Sequence, residues 1–154
     1  MHFRRDTCSN VILMIDDNPT DVLLIKEAFA FCEGNEEIYV AEDGIQAIEL
    51  LKQQGQYLQA RRPDLILLDL NMPKKNGFEV LGELKADPDF RSIPVIIYTS
   101  SVAKEDIRMA YQHYANGYIR KSVDFDNCIK IARLIKELWF SVSIDHTQNS
   151  YFTD

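Results

Sequence analysis

The stretch Leu65-Ile66-Leu67-Leu68-Asp69-Leu70-Asn71-Met72-Pro73-Lys74-Lys75-Asn76-Gly77 limits the possible folds more than any other part of the chain. Four apolar residues run directly into an acid. An Asn-Met-Pro turn and a Lys-Lys-Asn-Gly loop follow. A continuous apolar run of this length, closed by turn residues, predicts a strand buried on both faces. Such strands belong to parallel sheets covered by helices. An acid at the carboxyl end of one lies where open α/β sheets place their ligands. An unpaired buried carboxylate is costly or becomes neutral, so Asp69 is a poor core residue.

The rest of the chain repeats that pattern. Val11 to Ile15 is a second apolar run, and it ends in Asp16-Asp17. Asn18-Pro19 opens a helix that runs to about Phe31, with Val22, Ile25 and Phe29 at helical spacing. Ile38 to Ala41 reads as a strand and Ile45 to Gln54 as a helix. Gln53 to Pro63 is a polar connection, long enough to be an insertion relative to a minimal domain. Phe78 to Ala86 is helical. Val95 to Tyr98 is a buried strand that ends in Thr99-Ser100-Ser101. The spacing predicts a helix over 104–114 with Ile107, Ala110, Tyr111 and Tyr114 on one face. A short strand, 118–120, leads to Lys121. The last helix carries two apolar stripes. Phe125, Cys128, Ile129, Ala132 and Ile135 form one; Ile131, Leu134, Leu138 and Val142 form the other. Five strands alternating with five helices predict a doubly wound α/β fold, a parallel sheet with helices on both faces.

At 154 residues the chain is expected to form one domain. We expect it to span 10–145, after an extension (1–9) and before a flexible polar tail (146–154). Seventeen basic against 24 acidic residues leave a net charge of −7, which argues against sequence-independent nucleic-acid binding. No apolar run approaches the roughly 20 residues needed to span a bilayer. The N-terminus has no apolar stretch suited to a signal peptide. Cys8, Cys32 and Cys128 are odd in number and widely spaced, which fits a reducing cytoplasm. They read as packing residues, and His2, His113 and His146 as incidental.

Three strands end in polar residues at one edge: Asp16-Asp17, Asp69 and Thr99. Lys121 follows a fourth. Neighbouring parallel strands bring those ends together. Three converging carboxylates repel one another, and a hard divalent cation removes the conflict. The lysine ammonium and the threonine hydroxyl both suit phosphoryl oxygens. Together these groups suit transfer of a phosphoryl group onto an aspartate.

In these features the chain resembles the receiver domains of two-component response regulators, and is similar to the chemotaxis response regulator. The acidic pair, the Leu-Asp-Leu-Asn-Met-Pro context of Asp69, the Thr-Ser-Ser strand end and Lys121 occur in the family's order and spacing. The resemblance implies a flavodoxin-like sheet with strand order 2-1-3-4-5. It implies Asp69 as phosphoacceptor and Mg²⁺ held by Asp17, Asp69 and the backbone carbonyl of Asn71, with Asp16 acting through a metal-bound water. It makes Thr99 and Lys121 the groups that meet the phosphoryl oxygens, and Tyr118 the aromatic switch that follows Thr99. Pro73 and Gly77 shape the loop after Asp69. Ser101 stands where the family tunes hydrolysis. The donor is a sensor histidine kinase. Lys-Ser after the fifth strand, the long connection before the third and Leu-Trp-Phe in the last helix resemble stand-alone receivers that partner bacterial phytochromes. Most receivers carry proline after the lysine. Here Ser122 stands there, and a cis bond before it would be costly.

Alternatives remain for single residues. Asp16 or Asp17 alone reads equally well as a helix cap. Tyr118 alone is a core aromatic. Lys74-Lys75 is a solvated loop. The second stripe of the last helix, with Trp139 and Phe140 beside Leu138, would stay exposed on a monomer. Such patches mark partner surfaces, here a homodimer seam. Two other functions compete. An aspartate-nucleophile phosphatase of the haloacid type would need an acid where Asn71 stands. A vestigial receiver would serve only as a dimerising module.

Overall fold

The computed structural model describes residues 9–32 and 34–140. Most of the expected extension, Val142 and the expected tail lie outside the described residues. Strands β1 (Val11–Ile15), β2 (Glu37–Ala41), β3 (Leu65–Leu68), β4 (Val95–Thr99) and β5 (Gly117–Arg120) pair in parallel as one sheet. Its order is β2-β1-β3-β4-β5. The helices are α1 (Pro19–Phe31), α2 (Gly44–Leu51), α3 (Gly77–Ala86), α4 (Lys104–Gln112) and α5 (Phe125–Ile135).

Strand periodicity divides the core. Leu13, Ile15, Ile66, Leu68, Val95 and Ile97 face one layer, with residues of α2, α3 and α4. Ile12, Met14, Leu65, Leu67, Ile96 and Tyr98 face the other, packed on Ile25, Ala28 and Phe29 of α1 and on Cys128, Ile129, Ala132 and Ile135 of α5. β1, β3 and β4 are buried throughout, so their polar carboxyl ends are held at one rim.

The helix starts have local causes. Asn18 caps α1 by accepting from the amides of Thr20 and Asp21, and Pro19 occupies the first turn. That leaves Asp16 and Asp17 free of the capping role. Asp43 caps α2, and Asn76 forms a capping box with Glu79 at the start of α3.

The helix ends depart from the expected periodicity. α2 stops at Leu51 because Gln53 adopts φ 55°. The polar connection then forms a 3₁₀ turn, Gly55–Tyr57, and Tyr57 and Ala60 pack on the core. α4 stops at Gln112, and Tyr114 adopts φ 71°. Tyr114 therefore leaves the inward stripe and is 74% exposed; Tyr111 is 50% exposed, and Ala110 is the buried residue of α4.

A larger correction concerns the last helix. After Ile135 the chain continues as a π-helical turn, Lys136–Phe140. Trp139 follows Ile135 by four residues and Ala132 by seven, so helical spacing itself places it, with Phe140 beside it, on the inner stripe and not on the stripe of Leu134 and Leu138. Trp139 and Phe140 are half-buried against the core layer of α1 and α5 instead of standing on an exposed stripe. Leu138 does stay outside, 64% exposed, with Leu134 at 44%.

Candidate functional site

The strand ends meet as the sequence predicts. One carboxylate oxygen each from Asp16, Asp17 and Asp69 lie within 4.8 Å of one another. Asp16 and Asp69 are buried, Asp17 is exposed, and Thr99 is fully buried at the end of β4. Lys121, just past β5, reaches back over the rim. Its Nζ lies 2.9 Å from Asp16 Oδ2 and 3.0 Å from Asp69 Oδ2. Its backbone N–H donates to the Thr99 carbonyl at 2.8 Å, which ties the lysine to the threonine strand.

The electrostatics are those of a crowded acidic cradle. Burial pushes the Asp16 carboxyl up to about 6. Lys121 and the Asn18 amide pull it the other way, and Asp69 adds to the rise. Burial disfavours the Lys121 ammonium, but Asp21, Asp16 and Asp69 outweigh it and hold the lysine above its ordinary value. Asp16 Oδ1 accepts from the Asn18 N–H at 2.9 Å. Asp16 Oδ2 is buried and, despite its ion pair, lacks a hydrogen bond of acceptable geometry. A buried, anionic, under-satisfied oxygen among all-oxygen donors suits a hard divalent cation.

The other expected residues surround this cradle. The Asn71 N–H donates to Asp69 Oδ1 at 3.3 Å, and the Gly77 N–H donates to the Leu70 carbonyl at 3.0 Å, which closes the loop behind Asp69. The Ser101 N–H donates to Thr99 Oγ1 at 3.5 Å. Tyr118 is half-buried, and its hydroxyl donates to the Ser101 carbonyl at 3.0 Å. Burial raises its phenol above the ordinary value, with Ser101 acting against the rise and Asp106 and Asp69 adding to it. Leu138, Trp139 and Phe140 belong to the C-terminal turn described above and take no part in the cradle.

Two features escaped the sequence reading. Asp21, in the first turn of α1, places Oδ2 2.8 Å from Lys121 Nζ. An acid there ordinarily answers the helix dipole, so its type carried no hint of this contact. The second concerns Ser122. The described residues contain no cis peptide bond, so the Lys121–Ser122 bond is trans. Cys128 Sγ donates to the Ser122 carbonyl at 3.4 Å. The turn that carries Lys121 is thus held by a side chain from α5.

A doubly wound sheet with this set of carboxylates, hydroxyl and lysine at one rim defines a receiver. Residues 12–133 match the response regulator receiver domain family, and the chain belongs to that family of two-component signalling proteins. Within it, the chain is similar to the phytochrome-associated response regulators. It is 39% identical over 129 residues to response regulator Rcp1 of Synechocystis sp., covering 84% of this chain and 88% of that one. It resembles the phosphorylated cyanobacterial phytochrome response regulator RcpA with a TM-score of 0.81 and 41% identity, over 88% of this chain and 97% of RcpA. The Mn²⁺-bound form of Rcp1 matches with a TM-score of 0.79 and 37% identity, over 88% and 97% of the two chains. No helix among the described residues is long and apolar enough to cross a membrane.

Proposed function

We propose that this protein is a single-domain response regulator that takes a phosphoryl group from a sensor histidine kinase onto Asp69, with Mg²⁺ as cofactor. The observation that carries this reading is the Lys121 ammonium 3.0 Å from Asp69 Oδ2, inside a three-carboxylate cluster. Asp16, Asp17, Asp69 and the backbone carbonyl of Asn71 would hold the ion. When bound, it offsets the negative charge of the phosphoryl oxygens.

Asp69 supplies the nucleophile. One carboxylate oxygen attacks phosphorus in line. The new O–P bond forms as the P–N bond to the donor imidazole breaks, and the electron pair leaves with the imidazole, which takes up a proton. Lys121 lies ready to neutralise charge at the oxygens. Thr99 then turns its hydroxyl to the acyl phosphate, and Tyr118 gives up Ser101 and swings inward. The face built by α4, β5 and α5 changes shape, and output is a protein contact or an exchange of dimer partners. The likeness to the cyanobacterial phytochrome response regulator RcpA supports a phytochrome as the kinase. A cytoplasmic location follows from such a donor.

The test is labelling by acetyl phosphate with Mg²⁺. Asp69→Asn is expected to abolish incorporation while circular dichroism stays unchanged. Incorporation that survives the substitution overturns the assignment.

A further inference from the structure

Lys121 has a partner that the proposed chemistry does not consume. An ammonium carries three donor hydrogens. Three carboxylate oxygens surround this one: Asp16 Oδ2 at 2.9 Å, Asp69 Oδ2 at 3.0 Å and Asp21 Oδ2 at 2.8 Å. Asp16 and Asp69 belong to the cluster that suits a divalent cation; Asp21 does not. A bound cation and a phosphoryl group therefore both draw on the same two partners and leave the Asp21 contact in place.

Asp21 is well built for a fixed role. Its backbone N–H is tied by Asn18 Oδ1 at 3.2 Å within the cap of α1, and Pro19 stiffens the same turn. The contact is dry: the Lys121 side chain is 9% exposed and that of Asp21 13%. Lysine has a long, freely rotating stem, so its ammonium needs a rigid partner to stay at one point. Asp21 joins α1 to the residue after β5, across the rim on which Asp69 sits.

We propose that Asp21 is a positioning residue. Its carboxylate holds the Lys121 ammonium beside Asp69 before, during and after phosphoryl transfer. This rests on Asp69 being the phosphoacceptor. Asp21 acts through Lys121 and touches no reacting atom.

The test separates the two readings. In ¹⁵N-labelled protein without metal, an ammonium held by three carboxylates exchanges slowly with water and gives a resolved ¹H–¹⁵N signal, assigned by its loss in Lys121→Arg. Asp21→Ala is expected to broaden or remove that signal. It should slow labelling by acetyl phosphate at saturating Mg²⁺ by about tenfold, as misplacement of a catalytic group does. Asp21→Asn keeps an acceptor at the same point and is expected to recover part of both. Mg²⁺ affinity, followed by isothermal titration calorimetry, should fall by less than the labelling rate does, since Asp21 contributes no oxygen to the acid cluster. A wild-type labelling rate with an unchanged ammonium signal overturns the proposal. So does a slowed rate explained wholly by weaker Mg²⁺ binding. If Asp21→Ala fails to fold, Asp21→Asn is judged alone by the same readouts. Failure of the wild type to label removes the phosphoacceptor reading, and the ammonium signal still decides whether Asp21 holds Lys121.

Discussion

The Tyr118 hydroxyl donates to the carbonyl of Ser101 at 3.0 Å, and Ser101 Oγ in turn donates to Asp106 Oδ2 at 2.6 Å. The loop between β4 and α4 is therefore pinned from β5 on one side and from α4 on the other. Tyr118→Phe removes one pin and leaves the ring. It is expected to cost about 1 kcal/mol in urea unfolding. Amide hydrogen exchange at Ser101 and Ala103 should quicken, with little change in α3. Unchanged exchange in that loop would show that the contact restrains nothing.

Asp16 makes the metal-free protein sensitive to pH. Burial, opposed by Lys121 and the Asn18 amide and aided by Asp69, raises its carboxyl to about 6 from an ordinary 3.8. The folded state therefore binds this proton more tightly than the unfolded chain. The resulting stabilisation is fully present below the unfolded value and is lost as pH rises through about 6. Urea midpoints of metal-free protein are expected to rise as pH falls from about 7 to about 5, and Asp16→Asn should flatten this slope. Proton and cation compete for the same oxygens, so Mg²⁺ affinity should weaken below about pH 6. Equal midpoints across this range would remove Asp16 as the cause.

The strand ends were legible because each is a local feature: an apolar run that stops at a polar residue. Asp16, Asp17, Asp69, Thr99 and Lys121 could be placed on one rim from that alone, once alternation fixed the sheet as parallel. Asp21 could not. Its contact with Lys121 joins positions separated by 100 in the chain, and its local setting resembles any acid in a first helical turn. Tyr114, Trp139 and Phe140 were misplaced for different reasons. Tyr114 is carried out of the helical register by its own left-handed backbone, a break that side-chain type does not signal. Trp139 and Phe140 stand four and five residues after Ile135, so the spacing already placed them on the inner stripe, and grouping them with their neighbour Leu138 overlooked it.

Gly77 and Gly82, both in α3, should respond in opposite directions. A Cβ on Gly77 would meet the Asp69 carbonyl oxygen at 2.3 Å and Leu70 Cα at 2.6 Å. Both are backbone atoms and cannot rotate away. Gly77→Ala must shift the loop that aims Asp69 and Asn71, with an expected cost of about 2–3 kcal/mol. Mg²⁺ binding should weaken at the same time. A Cβ on Gly82 meets nothing within 4 Å. Gly82→Ala is expected to stabilise by about 0.5–1 kcal/mol through helix propensity, with Mg²⁺ affinity unchanged. Urea unfolding and Mg²⁺ titration of the pair check both. If Gly77→Ala bound Mg²⁺ normally, the close approach would not govern the site.

The C-terminal turn separates a packing role from an association role within two adjacent residues. Trp139 is half-buried against the core layer, so Trp139→Ala is expected to destabilise the monomer by about 2 kcal/mol or more. Leu138 is 64% exposed and stands one turn from Leu134, at 44%. Leu138→Lys removes apolar surface from solvent-facing positions and should leave stability within about 0.5 kcal/mol. If the outer stripe is a dimer seam, the same change should shift sedimentation toward monomer by placing a charge in an apolar contact. Sedimentation of Leu138→Lys with and without beryllofluoride and Mg²⁺ checks this. A dimer that persists in Leu138→Lys but dissociates in Trp139→Ala would move the seam to the inner stripe and require the π-helical turn to unwind on association.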